Sequence, residues 1–511
     1  MRTLATRLLV ALLAGVAAAC AGEDPRPGRI VLVSMDTVRA DYVQGPQAAP
    51  IAPNLARIAS QGVAFDRFYA ASGYTLPSHM SIFTGLDPAE HGVLVMSARL
   101  GPEVPTLAEI LAAEGYRTWG FHEGGFVAGG FGFDRGFERY RELPRVALVE
   151  EERPRLRRLL EEAPDEPYFL FVHTYAAHGP YGGHARYRSE HPDHGLLSDA
   201  QIAALRARYP AKLRRRGRAP AHVPEPTRRA CTLYNQFAPR GGALLGCGDN
   251  QFAPDFPQDP RFPEVLDQVR RSYAERVGRV DAMVGVIREV LEERGQWQDT
   301  LLVVTSDHGE AFFEHGLYKH EYVPFDEVLR VPLIVSFPAR LGTPGRVVDE
   351  LAWHVDLLPT ITSLAGIPSE ARPYARDLTP QLLGRSGSPE ERAVFPTLTR
   401  PAQFDPELLR RVALRGALKY IEGHPEFGDA EGLLFDLESD AGEERNLRAD
   451  APDSFEGLAE TARKHARGLR LRPPVHRRTG KRLDLDAVIP TDLRQLPPER
   501  REQLRVLGYV D

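Results

Sequence analysis

The sequence predicts an α/β fold: a mostly parallel sheet flanked by helices, with a small C-terminal antiparallel sheet subdomain. Three observations carry this. Arg29 to Ser34 (RIVLVS), Tyr168 to His173 (YFLFVH), Leu301 to Thr305 (LLVVT) and Val331 to Phe337 (VPLIVSF) are short apolar runs, as expected of strands buried on both faces. Between the second and third, Tyr273 to Arg294 carries apolar residues at helical spacing. Strands alternating with helices imply parallel pairing with both faces of the sheet covered. Beyond residue 385, Val412 to Ile421 and Leu433 to Leu437 alternate as antiparallel strands do.

In chain order, a targeting segment comes first and stands outside the fold. Arg2 and Arg7 flank the start of a short apolar run, Leu8 to Ala19. Ala17-Ala18-Ala19-Cys20 resembles a bacterial lipoprotein cleavage box, without the Leu usual before the small residues. Residues 1–20 therefore read as a lipoprotein-type signal peptide. The mature chain is expected in the periplasm or cell envelope, lipid-anchored at Cys20, with plain secretion or a short membrane anchor as alternatives. The first strand follows at Arg29, Thr106 to Glu114 reads as a helix, and Gly115 to Thr118 leads into a further apolar step. Residues 29–385 form the expected main domain, interrupted by an insertion over 183–265 rich in Pro, Arg, Gly and Asn. Insertions of that length are lids, specificity loops or disordered segments. Cys231 and Cys247 fall inside it and read as a disulfide closing a loop of about 15 residues, worth about 3 kcal/mol. Residues 386–511 make up the C-terminal subdomain and an Arg- and Pro-rich tail.

Composition narrows the function classes. With 511 residues, 42% hydrophobic and 26% charged, the chain is globular and large enough for a sizeable core. A formal net charge of -6 argues against a nucleic-acid partner, which calls for a basic domain. It does not argue against an anionic substrate, because a metal can dominate the field of its site.

Three motifs carry chemistry. Asp36 follows the first strand in Ser34-Met35-Asp36-Thr37-Val38-Arg39-Ala40-Asp41. Asp307 and His308 follow the third apolar run in Ser306-Asp307-His308-Gly309-Glu310. Thr75-Leu76-Pro77-Ser78-His79 leads to Thr84-Gly85 and His91-Gly92, and Pro77 suits the first turn of a helix. Hard oxygen and imidazole ligands at strand ends, facing a helix N-terminus, are what metal-assisted chemistry on anionic esters requires.

This set resembles the sulfatase branch of the alkaline-phosphatase superfamily, whose nucleophile motif reads Cys/Ser-x-Pro-Ser-Arg. Phe435-Asp436-Leu437 with Glu444-Arg445-Asn446-Leu447 resembles that family's C-terminal segment. The resemblance spans roughly 29–182 and 265–450. It implies that Asp36, Thr75, Asp307 and His308 bind one divalent metal, with Thr75 as nucleophile. Thr75 cannot become the formylglycine of a sulfatase, and Thr37 replaces the second Asp of the calcium set. His308 suits Mn²⁺ or Zn²⁺ better than Ca²⁺. In these respects the set resembles the manganese-dependent phosphoglycerol transferases. The resemblance further implies that Lys319 grips the ester oxygens, and that His178 and either His315 or His320 contact the substrate or leaving group. His173 and His184 read as structural histidines. His79 replaces the motif's Arg, and His122 stands near a family Lys-x-His that is absent. The expected function is hydrolysis or transfer of a sulfuric or phosphoric ester on a small molecule, glycan or envelope polymer. The alternative is a catalytically degenerate lipoprotein that keeps the pocket only to bind metal or ligand.

Overall fold

The structure, a computed structural model, describes residues 25–45, 48–144, 153–179, 262–320, 323–385, 392–398, 410–423 and 431–482 apart from 471 and 473. Cys20, the Cys231–Cys247 pair and nearly all of the insertion lie outside the described residues.

Eight strands form the main sheet: β1 (Arg29–Met35), β2 (Val63–Phe65), β3 (Arg117–His122), β4 (Arg139–Glu142), β5 (Tyr168–Thr174), β6 (Thr300–Thr305), β7 (Leu333–Ser336) and β8 (Arg346–Val348). Their order is β8-β2-β7-β6-β1-β5-β3-β4. Every pairing is parallel except the two made by β7, which runs against both β6 and β2. The continuous apolar runs have the reason expected. Along β1, Ile30 and Leu32 enter one core, while Val31, Val33 and Met35 enter the other. The same alternation divides Leu301 and Val303 from Leu302 and Val304 on β6. Each such side chain contributes about 1.5–3 kcal/mol by leaving water.

Two helices matter most to the site. Helix α1 (Thr75–Thr84) is buried along its whole length and ends at Gly85, whose φ of 63° is the left-handed turn that closes a helix. Helix α2 (Phe262–Glu293) covers the second core with Val269, Tyr273, Val277, Val280 and Val284. It begins inside the span read as insertion, earlier than the Tyr273 start its periodicity suggested. A short helix over Leu107–Ala113 has a capping box made by Thr106 and Glu109, matching the expected helix closely.

The C-terminal sheet comprises β9 (Ala393–Val394), β10 (Thr397–Leu398), β11 (Arg410–Arg415), β12 (Leu418–Ile421) and β13 (Leu433–Asp436). It is antiparallel throughout, in the order β9-β11-β12-β13, with β10 also on β11. The run Val412 to Ile421 is a hairpin that turns at Gly416, where φ is 57°. Helix α3 (Pro452–Gly468) packs on this sheet through Leu458 and Ala462. The same cluster holds Tyr69, Val328, Leu329 and Trp353 of the main domain. No helix among the described residues is long and apolar enough to cross a membrane.

Candidate active site at the ends of the central strands

The sheet brings the three motifs together. β1 lies between β5 and β6 in register, so Asp36 and the Asp307-His308 pair leave neighbouring strands at the same edge. Two backbone features fix the Asp36 turn. The Asp36 amide donates to the Thr174 carbonyl at 3.1 Å, and Thr37 adopts φ 59°, a left-handed conformation costly for a β-branched residue. Tyr273 of α2 holds that turn, donating to the Thr37 carbonyl at 2.7 Å and accepting from the Arg39 amide at 2.8 Å.

Helix α1 aims its N-terminus at the same point. Tyr74 is its extended N-cap, so Thr75 and Leu76 open the first turn, where amides have no acceptor within the helix. The Thr75 hydroxyl donates to Asp36 Oδ2 at 3.3 Å and lies 3.2 Å from His308 Nε2. His308 Nδ1 faces the Gly309 carbonyl at 2.9 Å. That contact places the proton on Nδ1 and leaves the Nε2 lone pair directed at the site. Asp307 Oδ1 accepts from the amides of Thr37 and His308 at 3.2 and 2.9 Å.

The remaining carboxylate oxygens decide what the cluster needs. Asp36 Oδ1 and Asp307 Oδ2 are buried without a hydrogen-bond partner, which is costly unless a cation supplies one. Ligand atoms of Asp36, Asp307 and His308 all lie within 4.8 Å of one another. Two carboxylates and one imidazole suit a divalent ion of the Mn²⁺ or Zn²⁺ type. Burial, then Asp307 and Glu310, push the Asp36 carboxyl well above the usual range. Burial pushes Asp307 the same way, but His308 and His79 outweigh it and hold Asp307 low.

Around this centre stands a shell that the sequence reading assigned only in part. Ser78 donates to the Asp307 carbonyl at 2.6 Å and lies 2.9 Å from His354 Nδ1. Burial lowers the His354 pKa to about 3. The neutral ring donates through Nε2 to the Ser306 carbonyl at 2.9 Å. His320 stacks on His308 with centroids 4.2 Å apart, and its Nδ1 meets Glu310 Oε1 at 3.0 Å. His178 meets the His320 ring edge to face at 5.4 Å. Its backbone carbonyl accepts from Arg276 at 2.7 Å. The loop after His308 is fixed by Gly309 and Glu310 amides donating to the Val328 and Glu327 carbonyls. A Cβ at position 309 would collide with the Glu327 carbonyl.

Of the residues singled out in the sequence, Asp36, Thr75, Asp307 and His308 converge, with His178 one ring beyond them. Lys319 lies on a two-residue strand paired with Ala311, and its charge acts on the neighbouring His320. The structure directs His315 elsewhere. Its ring stacks on Phe325 at 3.6 Å, and Nε2 faces Glu327 at 3.6 Å. His122 stacks on Tyr140 at 4.4 Å, toward the sheet edge. Sequence reasoning gave His173 a purely structural place, yet its Nε2 lies 3.5 Å from Asp36 Oδ2. Its position at the end of a strand was the available signal, since β5 neighbours the strand that ends at Asp36. Tyr273 and His354 gave no such signal, because each arrives from an element remote in sequence.

A mostly parallel sheet that offers carboxylates at its central strand ends to a helix N-terminus defines an enzyme class, the alkaline-phosphatase superfamily. Within it, the sequence profile described as Sulfatase matches residues 29–367, and the chain belongs to that family of hydrolases. Arylsulfatase A of Homo sapiens is 28% identical over 424 residues, covering 76% of this chain and 73% of that protein. The multifunctional alkaline phosphatase superfamily protein PehA of Trinickia caryophylli is 23% identical over 418 residues, covering 69% and 76%. Among solved structures, the phosphonate monoester hydrolase of Agrobacterium radiobacter superposes with a TM-score of 0.63 at 22% identity, covering 86% of this chain and 96% of its own.

Proposed function

We propose that this sulfatase-family protein is a metal-dependent hydrolase of sulfuric or phosphoric esters in which Thr75 is the nucleophile. It acts outside the cytoplasm, exported by residues 1–20 and lipid-anchored at Cys20. One observation supports this most directly: Thr75 Oγ1 lies 3.3 Å from Asp36 and 3.2 Å from His308, beside two buried carboxylate oxygens that lack partners. Asp36, Asp307, His308 and Thr75 would hold one divalent ion, Mn²⁺ or Zn²⁺ in preference to Ca²⁺. When bound, it lowers the hydroxyl pKa and polarises the ester oxygens.

The chain's own residues do the rest. The Thr75 hydroxyl passes its proton to Asp36 Oδ2, its hydrogen-bond acceptor, and its oxygen forms a bond to phosphorus or sulfur as the bond to the leaving alcohol oxygen breaks. Water then cleaves the Thr75 ester and restores the hydroxyl. The amides of Thr75 and Leu76 face the developing negative charge. His178 donates through Nδ1 to the Gly179 carbonyl at 2.8 Å, and a proton on its Nε2 would go to the leaving oxygen. Lys319, beside His320, adds positive charge toward the anion. His315 is a weaker candidate, given its pairing with Glu327. An unoxidised threonine favours phosphoric over sulfuric esters, and a relative such as PehA belongs to the wider alkaline phosphatase superfamily, whereas the higher identity to arylsulfatase A favours sulfuric esters. The natural ester belongs to a small molecule, glycan or envelope polymer.

The test is Thr75→Ala, assayed with Mn²⁺ or Zn²⁺ on bis(p-nitrophenyl) phosphate and p-nitrophenyl sulfate. Turnover of whichever ester the wild type cleaves should fall about 10³-fold or more, and quenched wild-type enzyme should carry an adduct on the Thr75 peptide. Full activity in the variant would show that water attacks directly. A second reading, a binding protein that keeps the pocket without turnover, draws on the missing formylglycine precursor. Metal binding by the wild type with no cleavage of either ester would favour it.

A further inference from the structure

We propose that His173 and His79 are positioning residues for the metal ligands, each fixing the orientation of one of the two carboxylates. The inference rests on the reading of Asp36, Asp307 and His308 as a metal centre. The arrangement is paired. His173 Nε2 lies 3.5 Å from Asp36 Oδ2, and His79 Nδ1 lies 3.5 Å from Asp307 Oδ2. All four side chains are fully buried. The two imidazoles meet edge to face with centroids 5.0 Å apart, so they form one floor beneath both carboxylates.

The two rings come from different elements, His173 from the end of β5 and His79 from the first turns of α1. The His79 tautomer follows from its contacts. Nδ1 donates to the Thr75 carbonyl at 2.9 Å, while Nε2 accepts from the Ser34 hydroxyl at 2.8 Å. The Nδ1 proton is therefore committed to the backbone carbonyl of the nucleophile, and the same nitrogen lies 3.5 Å from Asp307 Oδ2, so the ring sits against both. His173 is held against Tyr175, with ring centroids 4.6 Å apart. Neither 3.5 Å contact is a hydrogen bond as it stands, but polar rings packed behind metal carboxylates restrict their orientation, and losing such an outer partner typically lowers metal affinity about 10–100-fold. A histidine that merely filled space here would be replaceable by an apolar ring. A positioning histidine would not be.

The experiment titrates metal-free wild type, His173→Phe, His173→Gln and His79→Asn with Mn²⁺ and Zn²⁺ by calorimetry, alongside thermal melts of the same metal-free samples. His173→Phe should weaken binding about 10–100-fold with its melting midpoint unchanged. Gln places an amide N–H₂ near the Nε2 position, and Asn places one near Nδ1, so His173→Gln and His79→Asn should recover most of the affinity. Wild-type affinity in folded His173→Phe overturns the proposal. If that variant does not fold, His173→Gln binding no tighter than His173→Met overturns it instead. If the wild type binds neither metal, the metal-centre reading itself fails, an outcome distinct from both.

Discussion

Two clusters of acids and histidine, one fully buried and one only partly, contain the same ligand types, and their difference bears on which of them is prepared for a metal. The first is Asp36, Asp307 and His308. The second, where the C-terminal sheet meets the main domain, is His315, Glu327 and Glu443, and its ligand atoms also lie within 4.8 Å of one another. By composition the two are alike. The second, however, contains its own cation: Lys419 is fully buried, with Nζ 2.7 Å from both Asp326 and Glu443. Burial would lower the Lys419 pKa, but those two carboxylates outweigh it and raise it. The contacts shown for the first cluster's carboxylates are with imidazoles, a hydroxyl and backbone amides. A buried acidic cluster with an internal ammonium is a structural joint; one without it is prepared for an external cation.

The comparison breaks most sharply at the ligands. Asp307→Asn should weaken Mn²⁺ or Zn²⁺ binding by more than about 100-fold, beyond the loss of an outer-shell partner, and abolish turnover. The metal-free protein should respond in the opposite direction. Asp36 Oδ1 lacks a partner, and burial and Asp307 oppose ionisation of the carboxyl, so metal-free Asp36→Asn should be more stable by about 1–3 kcal/mol in denaturant titrations. A second equivalent of metal bound tightly by the wild type would erase the distinction between the clusters.

At the joint the sign reverses. Lys419→Met leaves the buried Glu443 and the half-buried Asp326 without their cation, and should cost about 3 kcal/mol of unfolding free energy. Metal affinity at Asp36 and Asp307 should stay within about twofold, since additivity holds between sites that share no partner. A large loss of affinity with little loss of stability would show that the joint serves the metal centre after all.

Much of this was legible in the chain. The four apolar runs gave the four central strands, because burial on both faces leaves no room for polar alternation along β1, β5 and β6. The short edge strands Arg139–Glu142 and Arg346–Val348 were not legible, since exposed edges carry no such pattern. Helix α3 was overlooked as well, its Leu458 and Ala462 stripe lying among many charges. The candidate ligands Asp36, Asp307 and His308 stood out because each lies within three residues of a strand end. His315 also sits in a motif-like run, but its ring stacks on Phe325 and its Nε2 faces Glu327, contacts the sequence alone does not show. His173 and Lys419 needed the fold, since their partners are remote in sequence.

A third buried carboxylate resolves its burial differently again, and gives the smallest effect. Asp87 Oδ1 accepts from the Ala89 amide at 2.8 Å, while Oδ2 faces His465 Nε2 at 3.5 Å. Burial raises the Asp87 pKa to about 7 and lowers that of His465 to about 3. Near neutrality, then, a protonated Asp87 faces a neutral imidazole, with neither metal nor lysine. Because the folded pKa lies above the unfolded value of 3.8, the native state holds the extra proton between those limits. Stability therefore falls as pH rises from about 4 to 7, by at most about 1.4 kcal/mol per pH unit for this group. Glu443, also raised to about 7 by burial, adds a slope of the same sign. Asp87→Asn keeps a capping oxygen but cannot titrate, so the slope of its unfolding free energy from pH 4 to 7 should be less negative than that of the wild type by up to about 1.4 kcal/mol per pH unit. The low pKa values of His465 and His354 add slopes of the opposite sign to both proteins. An unchanged slope would mean that Asp87 is ionised in the folded protein, and that His465 carries a proton to match it.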